Sequence, residues 1–297
     1  MDKDKFMCSR ASRANIFLFF AALIWGAAFV AQRMGMEHMG PLTFNAVRFA
    51  LGAMALLPLI QYLSSRNPAS TMPGVRLVRG GLGIGVVLFL GAWLQQFGLC
   101  YTTAGKAGFI TGLYVVFVPL MGIFLGHRYG VGTWAGAILA VSGMYLLSVT
   151  ESLTMSRGDT LVLLSAFFWA GHVVLIGQFT QGIAAADAVK LSAIQFVACS
   201  VLSFMGALFF EEISLTGIRA GLVPLLYGGL MSVGMGYTFQ VLAQRDARPA
   251  PAAIILSLEA VFAVMAGWFM LGEVLTARAM LGCTLMLSGM IWSQVKP

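Results

Sequence analysis

Charge is scarce in this chain. Only 10% of its 297 residues are Asp, Glu, Lys or Arg, against about 25% in an ordinary soluble domain, and such a chain cannot dress a water-facing surface. Cysteine is equally sparse. Cys8, Cys100, Cys199 and Cys283 stand far apart with no paired spacing, which excludes a disulfide framework and a cysteine metal site. Acids number 11 and histidines 3, and no HExxH or GxSxG occurs among them, which counts against a zinc hydrolase or a serine hydrolase. "CYTTAGK", ending at Lys106, has Cys100 where a phosphate loop needs its first glycine, and no other segment resembles an ATP site.

Apolar residues fill the space that charge leaves. They make up 59% of the chain, and the mean hydropathy is +0.89. Runs of roughly 20 apolar residues recur between short polar stretches, the length at which a helix crosses a ~30 Å hydrocarbon core with every backbone group bonded internally. A β-barrel would show shorter, alternating segments. The breaks predict ten spans: 14–34, 42–63, 76–99, 104–125, 131–149, 159–179, 187–210, 219–243, 250–271 and 276–294. The first follows a basic stretch but ends in no small-x-small cleavage site, so it reads as a retained anchor.

The net charge of +7 is explained by where the basic residues fall. With the N-terminus inside, Lys3, Lys5, Arg10, Arg13, Arg66, Arg76, Arg79, Arg128, Lys190, Arg245, Arg248 and Lys296 lie on one side. Arg33, Lys106, Arg157, Arg219 and Arg278 lie on the other, a bias of 12 to 5. The positive-inside rule then places both termini in the cytoplasm, and nothing beyond it points to nucleic acid.

The chain is written twice. "GIFLG" ending at Gly126 resembles "GWFMLG" ending at Gly272, Gly136 answers Gly282, and Ser142-Gly143-Met144 recurs as Ser288-Gly289-Met290, all at an offset of 146. Trp25 answers Trp169, Trp93 answers Tyr237, and Gln96 answers Gln240 at an offset of 144. Five spans per copy is an odd number, so the second copy enters the membrane from the opposite face. The expected fold is an all-α polytopic membrane protein of ten transmembrane helices in two inverted five-helix repeats, 1–149 and 150–297. Inverted repeats of this kind build many secondary transporters, with the substrate site near the midplane between the copies.

"LSLEAVFAVMAGWFMLGEVLTARAMLGCTLMLSGM", Leu256 to Met290, resembles the signature of an EamA domain, and Trp25-Gly26-Ala27-Ala28-Phe29 is similar to that domain's start. Two such domains in tandem describe the drug/metabolite transporter superfamily, and the resemblance covers nearly the whole chain. It departs at Ala260, where many members carry a proline that would kink the helix, and at His127-Arg128, where the first copy often ends Gly-Glu. The resemblance implies that spans one, three, four, six, eight and nine surround a central cavity.

Polar groups inside the spans are the candidate site, because an ionisable group in hydrocarbon costs at least ~2.5 kcal/mol. Glu259 lies about 14 Å into the ninth span, near the midplane, where it can take a proton, a substrate cation or a structural partner. Arg48 lies about 10 Å below one end of the second span; at that depth its side chain is expected to snorkel to the headgroups, and its repeat counterpart is Gln195. His172 shares a helix face with Trp169, three residues earlier. Trp93 with Gln96 and Tyr237 with Gln240 repeat one i, i+3 pairing of an aromatic and an amide, suited to a small amphipathic solute. Trp25 is the repeat counterpart of Trp169, and Tyr114 that of Glu259. Pro119 is expected to bend the fourth span.

The expected function is a secondary transporter that exports a small metabolite, amino-acid-like or another small organic solute, by alternating access with proton coupling. The cell membrane is the expected place, as a monomer or homodimer without cofactor or metal. An intramembrane enzyme would need a clustered nucleophile and base. A channel-like permease would need a filter of carbonyls or charges. Those are the alternatives.

Overall fold

The computed structural model describes residues 2–66, 70–102, 104–148, 156–271 and 276–295. Gly272, Lys296 and the expected junction between the two halves lie outside the described residues.

Among the described residues the regular structure is entirely helical. The first half contains α1 (Asp2–Gly35), α2 (Pro41–Arg66), α3 (Gly74–Gly98), α4 (Ala104–Gly112), α5 (Tyr114–Phe124) and α6 (Val131–Ser148). The second contains α7 (Arg157–Thr180), α8 (Ala185–Phe210) and two short helices, α9 (Leu215–Ala220) and α10 (Leu222–Leu226). A π-helical segment (Tyr227–Tyr237) and α11 (Thr238–Gln244) follow, then α12 (Pro249–Leu256), α13 (Glu259–Leu271) and α14 (Ala277–Val295).

Local chemistry sets the helix ends. Pro41 and Pro249 open their helices at positions where no intrahelical N–H is needed. Ser156 and Asp159 form a reciprocal capping box at the start of α7. Glu211, just past the end of α8, accepts from Leu42 N at 2.7 Å and from Thr43 N and Oγ1 at 2.8 Å, so a carboxylate from one half caps the start of α2 in the other.

Eight of the described helical stretches are long and apolar enough to cross a membrane. The expected spans 131–149 and 276–294 are represented by the shorter α6 and α14, of 18 and 19 residues, packed along each other. The outward faces are apolar, with Phe124 at 91% and Phe269 at 84% exposed, a surface that suits lipid and that a soluble monomer avoids. Inside, α2 packs on α8, α3 on α7 and α8, α1 on α13 and on the π segment, and α5 on α12.

The helical stretches α4–α5 and α12–α13 are each interrupted once. Leu113 N bonds Ile110 O at 3.2 Å and Leu258 N bonds Ile255 O at 3.1 Å, while Phe117 N and Phe262 N return to Leu113 O and Leu258 O. Each is a single tightened turn, with ψ of −12° at Leu113 and −14° at Ser257. The second break needs no proline at position 260; Ser257 Oγ instead takes the Ile254 carbonyl at 2.8 Å, competing with the helix ladder. The first break lies at Leu113 and not at Pro119, which sits inside α5.

Candidate functional site

The two interruptions start new helices at Tyr114 and Glu259, and both side chains line one internal cavity of about 40 Å³. That is well above the ~10–15 Å³ a single water needs. Trp25, Phe29 and Gln32 of α1 form one wall. Trp169 and His172 of α7 contribute a second, and Ser232 and Tyr237 of the π segment, with Gln240 of α11, a third. Arg48, Gln95 and Thr111 complete it from α2, α3 and α4.

Tyr237 is the hub of the aromatic lining. Its ring lies 4.8 Å from that of Trp25, stacks on Trp169 at 6.1 Å, and meets His172 edge-on at 5.7 Å. The sequence YGGLMSVGMGY explains how this is reached: glycine-rich backbone tolerates the wide π ladder, and Gly236 lets the Trp25 indole approach where a Cβ would meet Nε1 at 2.5 Å. Trp25 Nε1 then donates to Ser232 O at 3.1 Å. Gly26 likewise lets α1 close on the start of α13, where a Cβ would lie 2.8 Å from Glu259 O.

Several polar atoms here are buried without a hydrogen-bond partner: Trp169 Nε1, Tyr114 Oη, Gln32 Oε1, Gln240 Oε1 and Glu259 Oε1. Tyr114 lies within electrostatic reach of the Glu259 carboxylate. Folded interiors rarely leave such groups unmade, so a cluster of unmet donors and acceptors around one space marks a place for a polar guest. His172 Nε2 and Gln195 Oε1 are paired at 2.8 Å, tying the lining to α8.

Eight of the ten residues expected from the sequence meet here: Trp25, Arg48, Tyr114, Trp169, His172, Tyr237, Gln240 and Glu259. Trp93 and Gln96 do not. Trp93 stacks on Phe89 at 6.0 Å away from the lining, and Gln96 sits one layer back, its Nε2 donating to Gln32 O at 3.2 Å. The lining amide of α3 is Gln95, whose Nε2 donates to Thr111 Oγ1 at 2.8 Å. Arg48 also corrects an expectation: it is 2% exposed, turned inward over the rings of Phe44 and Phe49, with Nε on Asn45 Oδ1 at 2.9 Å, and does not snorkel. Gln32, Gln95, Thr111 and Ser232 went unnoticed, although the two glutamines, as amides inside apolar runs, carried a signal.

A polytopic helical bundle with an apolar outside and a polar, aromatic internal cavity is an architecture that membrane transporters use. The EamA-like transporter family matches residues 12–149 and 156–294, and the chain belongs to that family as two tandem copies of its domain. An uncharacterized transporter of Archaeoglobus fulgidus is 30% identical over 94% of this chain and 84% of its own length. The uncharacterized transporter YoaV of Bacillus subtilis is 23% identical, covering 90% and 91%. The uncharacterized inner membrane transporter YedA of Escherichia coli K12 is 24% identical, covering 87% and 83%. A solved crystal structure superposes with a TM-score of 0.77 over 96% of this chain and 97% of that one, at 18% identity, and so shares the fold. The protein is an integral membrane transporter, and the names of its relatives point to transport and not to enzymatic chemistry.

Proposed function

We propose that the protein is a secondary transporter that exports a small organic solute through this cavity by alternating access between two inverted five-helix copies, 1–149 and 150–297. The observation that carries this reading is the matched pair of helix interruptions at Leu113 and Leu258, which place Tyr114 and Glu259 on opposite copies at one cavity. Discontinuous helices at the interface of inverted repeats are where such transporters hold their substrates. With ten spans both termini lie on one face, and the distribution of Lys and Arg supports the cytoplasmic one.

Glu259 carries the coupling proton or meets a cationic group of the solute. Among the described cavity-lining residues it is the only carboxylate, and Tyr114 is its polar neighbour there. The test is counterflow screening of metabolite pools in proteoliposomes, combined with single-cysteine labelling at Gln32 and Gln240. Saturable flux, with substrate shifting protection from one membrane face to the other, is expected. Equal reactivity from both faces at once would remove alternating access.

A further inference from the structure

The stretch Tyr227–Tyr237 is wound as a π-helix over 11 residues, and Leu226 and Thr238 at its ends keep helical dihedral angles, so it runs into α10 and α11 without a break. Such winding mostly lasts a single turn and gathers at functional sites. A run of this length has to be held by its surroundings. We propose that the stretch is a two-register switch: wound as a π-helix it presents Tyr237 and Gln240 to the cavity, and rewound as an α-helix it turns both away and lets go of what they hold. This rests on the transporter reading and adds the moving part by which the cavity grips and releases.

The two copies of the domain show both windings. α3, which answers this region at an offset of 144, is α-helical from Gly74 to Gly98. Its lining amide is Gln95, while Gln96, the counterpart of Gln240, sits one layer back, and Trp93, the counterpart of Tyr237, is stacked on Phe89 outside the lining. The registers differ by one residue. One residue is also what an i→i+5 bond spans beyond an i→i+4 bond. A slip of one residue turns a helix by about 100°, so rewinding brings Phe239, the counterpart of Gln95, to the place where Gln240 now stands.

A buried hydroxyl points to the second register. Thr180 and Thr284, in α-helices, return their hydroxyls to the carbonyl four residues back at 2.7 Å and 2.9 Å. Thr238 is 4% exposed and its Oγ1 has no hydrogen-bond partner among the described residues; the residue four back, Gly234, lies inside the π ladder. Rewinding supplies that carbonyl. Two bonds hold the present register against it: Trp25 Nε1 on Ser232 O at 3.1 Å, and Gln244 Nε2 on Val173 O at 2.9 Å, which fixes the far end of α11 to α7. The switch is therefore a balance between bonds that keep Tyr237 over the cavity and a bond that forms when it leaves.

The test is fluorine NMR of the full-length protein in nanodiscs, with fluorotyrosine at its 7 tyrosines and the Tyr237 signal assigned as the one lost in Tyr237→Phe. The ring now lies among Trp25, Trp169 and His172, so ring currents displace its signal, and the withdrawn register is expected as a second signal in exchange with the first. Gln244→Leu removes a bond of the π register and should raise the ratio of second to first signal about two- to tenfold; Thr238→Val removes the bond of the α register and should lower it by a similar factor. A single Tyr237 signal, with no minor partner in saturation transfer, overturns the proposal. So does a ratio that fails to rise in Gln244→Leu or to fall in Thr238→Val. Where one variant does not fold, the other and the unmodified spectrum decide. Saturable counterflow by a protein with one Tyr237 state removes the switch and leaves the transporter reading standing; no saturable flux of any solute removes that reading as well.

Discussion

The indole of Trp25 donates to the carbonyl of Ser232 at 3.1 Å across 207 positions of sequence. The bond ties α1 to the π-helical stretch Tyr227–Tyr237, and it fixes the two ring faces, Trp25 and Tyr237, that stand over the cavity.

Removing that donor while keeping a ring tests its part. Trp25→Phe should lower stability by roughly 0.5–1.5 kcal/mol, the net worth of one hydrogen bond, and lower flux. Gly236→Val should cost more, because its side chain enters the volume held by the Trp25 indole. Thermal melting and counterflow read both; a Gly236→Val protein with full flux would show that this close approach is unnecessary.

Glu259→Gln keeps the shape of the side chain and removes the charge. If the carboxylate carries the coupling proton, the variant retains exchange but loses accumulation driven by a pH gradient. Accumulation that still follows the gradient in proteoliposomes, with unchanged solute preference, would exclude Glu259 from both proposed roles.

Two arginines latch opposite ends of the bundle. Arg33 donates to Leu99 O at 2.5 Å, closing α1 on the end of α3, and Arg245 Nε donates to Ile183 O at 2.8 Å, closing the end of α11 on the loop after α7. Arg33→Gln and Arg245→Gln should shift cysteine accessibility in opposite directions, each by about two- to tenfold for the loss of one such bond. A shift in the same direction for both would mean that they hold general stability and not the two ends separately.

Glu211 is a scaffold residue by the same reasoning. Its carboxylate caps α2 through two bonds, from the Leu42 and Thr43 N–H groups, and accepts a third from the Thr43 hydroxyl, and Glu211→Ala should destabilise the fold by about 0.5–2 kcal/mol, the range for a lost helix cap. Melting in detergent measures it. The solute preference of the folded fraction should stay as it was.

Much of the site was legible because polarity in an apolar run is conspicuous. Glu259, His172 and Gln240 stood out for that reason, and repeat spacing linked Trp25 with Trp169 and Tyr114 with Glu259, whereas it also drew in Trp93 and Gln96, which do not line the cavity. The choice between Gln95 and Gln96 was not legible. Neighbouring residues on a helix point about 100° apart, and a span that meets lipid on one side and packed helices on the other is apolar on both, so the pattern that orients a soluble helix is absent. Arg48 was misread for a related reason: depth alone suggested an escape to the headgroups, whereas Phe44, Phe49 and Asn45 hold it inward.

Sequence alone determined the membrane class, the family and the repeated polar positions, because hydrocarbon demands long apolar helices and makes every exception visible. Only the tertiary structure decided which exceptions share a cavity. That depends on helix rotation, on the two tightened turns at Leu113 and Leu258, and on the π-helical stretch that carries Tyr237 to the centre, and all three are set by contacts between segments far apart in the chain.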